Sequence, residues 1–157
     1  MVRVARPGDE AEILRMIRAL AAYEREPDAV KATEASLQAA MFGPDAGVHA
    51  FIAELDGRSV GLALWFRNFS TWTGTQGLYL EDLFVDEAAR GRGVGRALFR
   101  ALAGEAARRG YQRIDWAVLD WNIEAMDFYT RIGARATRGW QPWRLDAAGI
   151  ARLAAEG

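Results

Sequence analysis

Cysteine is absent from the 157 residues, and His49 is the only histidine. No disulfide framework, thiol nucleophile or cysteine metal site can be built, and no histidine cluster can hold a metal. The expectation is no metal. Charge of one sign is not in excess either, the formal balance being −1. A general nucleic-acid binder is clearly basic, so nucleic acid is not expected as a partner. No apolar run is long enough to span a bilayer, and Met1-Val-Arg-Val-Ala-Arg-Pro7 lacks the apolar core of a secretory signal. A soluble, cytoplasmic protein without a membrane partner is expected. Lysine is nearly missing: Lys31 stands alone among arginines, which reads as coding bias. Internal repeats, low-complexity tracts and linkers are also lacking, so the length reads as one domain over residues 1–157.

Hydrophobic residues make up 51% of the chain, enough for a sizeable core. The rest is organised around Tyr79-Leu-Glu-Asp-Leu-Phe-Val85, a mostly buried strand with two adjacent carboxylates. It is followed by the turn Arg90-Gly-Arg-Gly-Val-Gly-Arg96, which feeds an amphipathic helix from about Val94 to Arg109, closed by Gly110. Strand, glycine turn and helix N-terminus make an anion site. The first helical N–H groups lack internal partners, and the dipole is positive there. Gly91, Gly93 and Gly95 let a bulky ligand approach the backbone, and Arg90, Arg92 and Arg96 add charge. The run does not complete G-x-G-x-x-G, because Arg96 stands where that spacing needs glycine, and it contains no G-K-[ST].

Before this unit, Val2–Ala5 reads as a strand. A helix runs to about Glu24 on Ile13, Leu14, Ile17, Leu20 and Ala21, and a second is capped by Thr33. Ala50–Leu55 and Val60–Phe69 read as a hairpin about Asp56-Gly57, with a polar loop from Ser70 to Gly77. After it, Arg113–Leu119 reads as a strand and Asp120-Trp-Asn122 as a break. A helix Ile123–Ile132 follows, then short strands near Arg135–Gly139 and Trp143–Leu145, and a closing helix from Ala147 to Ala155. The interleaving predicts an α/β fold with a mixed, mostly antiparallel central sheet and helices on both faces. The unit Leu78 to Leu119 is strand–helix–strand, so its two strands are parallel and their carboxyl ends share one edge. Ligands of open α/β sheets bind at that edge, where the glycine turn faces the 120–122 break.

Arg90-x-x-Gly93-x-Gly95 after a strand resembles the acetyl-CoA pyrophosphate loop of the GCN5-related N-acetyltransferase (GNAT) superfamily. Asp120-Trp-Asn-Ile-Glu-Ala-Met-Asp-Phe-Tyr-Thr-Arg-Ile-Gly-Ala134 resembles its closing motif, an Asn opening a helix with a Tyr seven residues on. With Tyr79–Val85, Tyr23-Glu24 and Trp143-Arg-Leu145, the resemblance is to the diamine (spermidine/spermine) acetyltransferase branch and covers about residues 2–146. It implies an acyl-CoA acyltransferase fold in which the parallel strand pair splays, acetyl-CoA as cosubstrate, and a homodimer. The implied cofactor contacts are Leu83, Phe84 and Val85 at the splay, Arg90, Gly91, Arg92, Gly93, Val94, Gly95 and Arg96 at the pyrophosphate, and Asn122 and Ala125 along the arm. Tyr129 would stand near the thioester sulfur and donate a proton to the departing thiolate.

The chemistry asks for such groups. An alkyl amine has a pKa near ~10, so about one molecule in a thousand is the free nucleophile at neutral pH. A base must take its proton, an oxyanion needs N–H donors, and a leaving thiolate gains from a phenol. Glu81 is the candidate base, through water, or else an ammonium anchor. Strand alternation turns Asp82 to the opposite face, so only one of the pair faces the cleft, and the resemblance favours Glu81. Tyr23, Glu24, Glu81, Asp82, Trp116 and Gln141 are the candidate substrate contacts. The branch has Glu near position 141, and Gln141 removes one anionic contact. A shorter diamine, a lysine-like amino acid or an aminoalkyl thioether is then at least as plausible a substrate as a long polyamine. Acetylation of a small primary amine by direct transfer in a ternary complex competes with two other readings. One is a cofactor-binding sensor or interaction module without catalysis, and the other is a nucleotide-binding domain.

Overall fold

The computed structural model describes residues 1–156. The chain divides into two compact units, Met1–Asn122 and the part from Ile123 onward. The first holds strands β1 (Val2–Val4), β2 (Val48–Leu55), β3 (Arg58–Ser70), β4 (Thr75–Val85) and β5 (Ile114–Asp115), and helices α1 (Glu10–Tyr23), α2 (Glu34–Phe42) and α3 (Val94–Arg108). The strands lie in sequence order, antiparallel except for the parallel pair β4–β5. The expected mixed α/β sheet with a parallel pair is therefore what forms.

Alternation along the strands divides the core. Ala50, Ile52, Leu62, Leu64 and Phe84 pack with Ile13, Leu14 and Met16 of α1 and Leu37 and Met41 of α2. The other face carries Phe51, Ala63 and Trp65 and meets α3 closely: a Cβ on Gly61 would stand 3.0 Å from Val94 and 3.2 Å from Leu98. Helices thus cover both faces, and each fully buried Leu or Ile contributes roughly 1.5–3 kcal/mol.

Local chemistry sets the boundaries. Asp56 and Gly57 both have positive φ (52° and 75°), the geometry of a two-residue hairpin turn matched to strand twist. Thr33 and Ser36 cap α2 reciprocally, each side chain accepting from the other's backbone N–H. Asp9 precedes α1 without capping it, because its carboxylate accepts from Arg3 (2.7 and 2.9 Å) and from the Arg6 N–H. Ser70 accepts from the N–H groups of Trp72 and Thr73 and tightens the β3–β4 turn. As a result β4 begins at Thr75, and the polar loop expected to reach Gly77 is shorter.

The parallel pair is brief. Only Leu78–Ile114 and Tyr79–Asp115 are in register, while β4 continues to Val85. The strand expected over Arg113–Leu119 is therefore two residues long, because a strand needs a ladder partner and β4 and β5 part after Asp115. A clamp sits at this vertex. Asn68 Nδ2 of β3 reaches across β4 to Asp115 Oδ2 at 3.3 Å, and Arg113 pairs with the same oxygen at 2.8 Å. Gly77 lies between them, and a Cβ there would stand 2.6 Å from Asn68 Oδ1. Only glycine leaves room for the bridge.

In the second unit, α4 (Ile123–Arg131) and α5 (Ala147–Ala154) match expectation. The strands expected near Arg135–Gly139 and Trp143–Leu145 are absent among the described residues. Every residue from 135 to 148 is exposed. Without a buried face, these residues have no apolar side to pack as a strand. Asp146 caps α5 by accepting from the Gly149 N–H at 2.7 Å.

The buried Asp9 yields a stability test. The Arg3 guanidinium holds its carboxyl below the usual carboxylate range. Its stabilisation is present above the unfolded value near ~4 and is lost as pH falls through the lowered one. Asp9→Asn should cost about 1–3 kcal/mol in urea unfolding at pH 7. The gap to wild type should close at acid pH; a gap unchanged down to pH 3 would contradict it.

Candidate active site

The splay gives β4 a free edge. The Asp86 N–H donates to Val60 O of β3 at 2.8 Å. By strand alternation the backbone of Phe84 also faces β3, and that of Leu83 and Val85 faces the free edge. Arg90 Nε approaches the Val85 carbonyl at 3.4 Å from that side. Phe84 supports the edge from behind, its ring buried in the core with α1. An extended, amide-bearing chain can therefore add alongside residues 83–85 as a strand would.

A turn of 3₁₀ helix (Glu87–Ala89) then leads into the glycine run. Gly91 and Gly93 have φ of 72° and 81°, and a Cβ on either would meet nothing within 4 Å. These glycines serve the backbone path, and the space above them is open. Gly93 is the N-cap of α3, whose first turn holds no acidic residue. Arg90, Arg92 and Arg96 are exposed around it, Gly95 is half-buried and Val94 anchors the helix in the core. Unpartnered N–H groups, helix dipole and three guanidinium groups suit a diphosphate.

On the α1 side of β4 lies a group of carboxylates. Leu64 pairs with Asp82 and Trp65 with Leu80, so Glu81 is an extra residue in a β-bulge. This corrects the expectation that alternation turns Glu81 and Asp82 to opposite faces: a bulge interrupts the alternation. Asp82 is pushed up to about 6 by burial first, and then by the negative charges of Glu81 and of Glu24 from the end of α1. Burial also raises Glu24. Glu81 itself is exposed. Three carboxylates from two elements thus share one place, and the group that titrates near neutrality is Asp82. No local signal marks this arrangement, because the bulge carries no glycine or proline.

The C-terminal end of α1 also reaches the break after β5. The Tyr23 hydroxyl donates to Asn122 Oδ1 at 3.3 Å, its ring lies 6.0 Å from Trp121, and Arg90 sits 4.9 Å above it. Arg25 lies 4.4 Å over Trp121. Arg25 and Trp121 were not among the sequence candidates, and no local pattern marks them. Trp116 packs edge-on against Phe99 of α3 at 5.2 Å, on the side of the sheet opposite Asp82. His49 stacks on Trp65 at 4.5 Å on that same α3 side.

In the second unit, Ala125 and Tyr129 are half-buried on α4, one turn apart, with the Phe128 ring 5.6 Å from Tyr129. Gln141 lines an open hollow of about 540 Å³ with Gly139, Trp140 and Trp143. No group of three or more metal-ligating side chains occurs among the described residues, and no helix is long and apolar enough to cross a membrane.

A sequence model of the acetyltransferase (GNAT) family matches residues 13–134. The thialysine N-epsilon-acetyltransferase of Sus scrofa is 38% identical over 165 residues, spanning 98% of this chain and 96% of its own. An L-ornithine N5-acetyltransferase of Arabidopsis thaliana is 28% identical, spanning 92% and 83%. Among solved structures, an integron cassette protein from the mobile metagenome of V. cholerae superposes with a TM-score of 0.77 at 29% identity, over 98% of this chain and 97% of that one.

The raised Asp82 carboxyl makes the site oppose folding. Its unfolded pKa is near ~4 and its folded one is about 6, so stability falls as pH rises between the two. Asp82→Asn should stabilise the protein above pH 7 by on the order of 2–3 kcal/mol, several degrees in Tm, and change little at pH 4. A Tm difference that is the same at both pH values would contradict the assignment.

Proposed function

Because this chain belongs to the acetyltransferase (GNAT) family, we propose that it moves an acetyl group from acetyl-CoA to the terminal primary amine of a short diamine or a lysine-like amino acid. The observation that carries this reading is the convergence of Glu24, Glu81 and Asp82 beside the free edge of β4. Clustered carboxylates attract an alkylammonium and raise its local concentration. A partly buried carboxyl near pKa 6 can then relay the proton that the amine must lose. The names of the pig and Arabidopsis relatives point to amino acids with a terminal amine, thialysine and ornithine. Gln141 in place of a further carboxylate favours such short substrates over long polyamines.

The residues present fit the cofactor: a free strand edge for its amide-bearing arm, and an open glycine turn with arginines for its diphosphate. When bound, acetyl-CoA supplies an activated acetyl thioester. Leu83 and Val85 would bind its arm through backbone groups, and Asn122 and Ala125 would hold that arm as well. The Gly91–Arg96 backbone takes the diphosphate. Tyr129 would donate a proton to the leaving sulfur. Glu81 and Asp82 would take the proton of the amine, directly or through water, and Glu24 and Tyr23 would shape the amine's approach, whereas Trp116, on the opposite side of the sheet, does not face this group. With no cysteine in the chain, transfer is direct within a ternary complex. The whole chain acts as one catalytic domain, in the cytoplasm, as a homodimer.

A thiol-release assay over a panel of ornithine, lysine, thialysine, diaminopropane and spermidine tests the reading. Turnover should be highest on the short substrates. Tyr129→Phe should lower kcat by about 10²-fold with little change in amine KM. A variant as fast as wild type at saturating acetyl-CoA would remove Tyr129 from the proton transfer. A preference for spermidine would reverse the substrate assignment.

A further inference from the structure

The end of α1 is shaped in an unusual way. Tyr23 is the last helical residue, and two residues later Arg25 adopts φ 65°, a left-handed conformation that usually falls to glycine. The chain keeps an arginine there, and its guanidinium covers the Trp121 ring. Residues in such conformations persist where the surroundings hold them. Here the surroundings are the two segments that leave the parallel strands. Tyr23 touches both: its ring lies beneath Arg90, from the turn after β4, and its hydroxyl and ring meet Asn122 and Trp121, from the break after β5.

We propose that Tyr23 is a positioning residue for the cofactor, linking the diphosphate turn to the Asn122 amide. This rests on the reading of Arg90 and Asn122 as cofactor contacts. An asparagine amide presents either its carbonyl or its NH₂ in a given direction, and the two ends are nearly isosteric. The Tyr23 hydroxyl donates to the carbonyl end, so the NH₂ end is turned away from Tyr23. An NH₂ donor matches the carbonyl oxygens of an amide-bearing arm; a carbonyl in its place would repel them. At 3.3 Å the tie is longer than an ideal O–H···O bond, and such bonds tighten in the loaded complex. The ring acts separately, holding the Arg90 side chain by a cation–π contact. The two halves of Tyr23 therefore serve two halves of one ligand.

That division makes the idea testable by calorimetry with two probes. One is CoA; the other is 3′-phosphoadenosine 5′-diphosphate, which carries the diphosphate without the arm. Tyr23→Phe removes the hydroxyl and keeps the ring. It should weaken CoA roughly three- to tenfold, leave the nucleotide probe within about twofold, and leave Tm within about a degree. Tyr23→Leu removes both and should weaken both probes. A Tyr23→Phe protein that binds CoA like wild type, or that loses both probes equally, overturns the proposal. So does a folded Tyr23→Leu protein with full affinity for the nucleotide probe. If the wild-type protein binds neither probe, the cofactor reading itself fails and this inference falls with it, an outcome distinct from a defect confined to the variants.

Discussion

The structure depends on the separation of β4 from β5. Two residue pairs hold these parallel strands together, and then β4 runs on for six residues with a partner on one side only. Exposed ladder groups on a strand edge are a liability unless something covers them. Here the edge opens toward a glycine turn and a helix N-terminus, an arrangement that suits the strand-like ligand proposed above. The clamp of Asn68, Arg113 and Asp115 across Gly77 sets where the strands part. Without a fixed vertex, the free edge would have no fixed length.

The two faces of the sheet have separate roles. On the α3 side, tight packing at Gly61 against Val94 and Leu98 fixes the start of α3, and with it the direction of its free N–H groups. On the α1 side, the same β4 carries a bulge that brings Glu81 and Asp82 together beneath Glu24. Like charges placed close together and partly buried oppose folding, and a sequence selected for stability alone would not keep them. Their cost is consistent with a site that waits for a cation. The apolar cluster of α1, α2 and Phe84 behind it supplies the rigidity that holds them in place.

Much of this was legible in the residue order. Helical spacing in α1 and α3, the Thr33 cap and the Asp56-Gly57 turn are local signals, and local signals survive folding unchanged. The strand–turn–helix unit of residues 79–96 was legible for the same reason: glycine conformations and helix ends depend on near neighbours. The relation between Glu81 and Asp82 was not legible, because a bulge arises from register between two strands. The strands expected near Arg135–Gly139 and Trp143–Leu145 do not form among the described residues, because residue types state what could pair and not whether a partner is there.

Residue identities by themselves determined the helices, the first four strands, the glycine turn at 91–96 and the family to which the chain belongs. Tertiary structure alone decided how far β5 follows β4, which carboxylate carries the raised proton affinity, and that Tyr23 joins Arg90 to Asn122. The physical reason is range. Turns, caps and helix faces are fixed by forces acting over a few residues. Strand register, desolvation and charge repulsion arise only when segments distant in the chain are brought within a few ångströms.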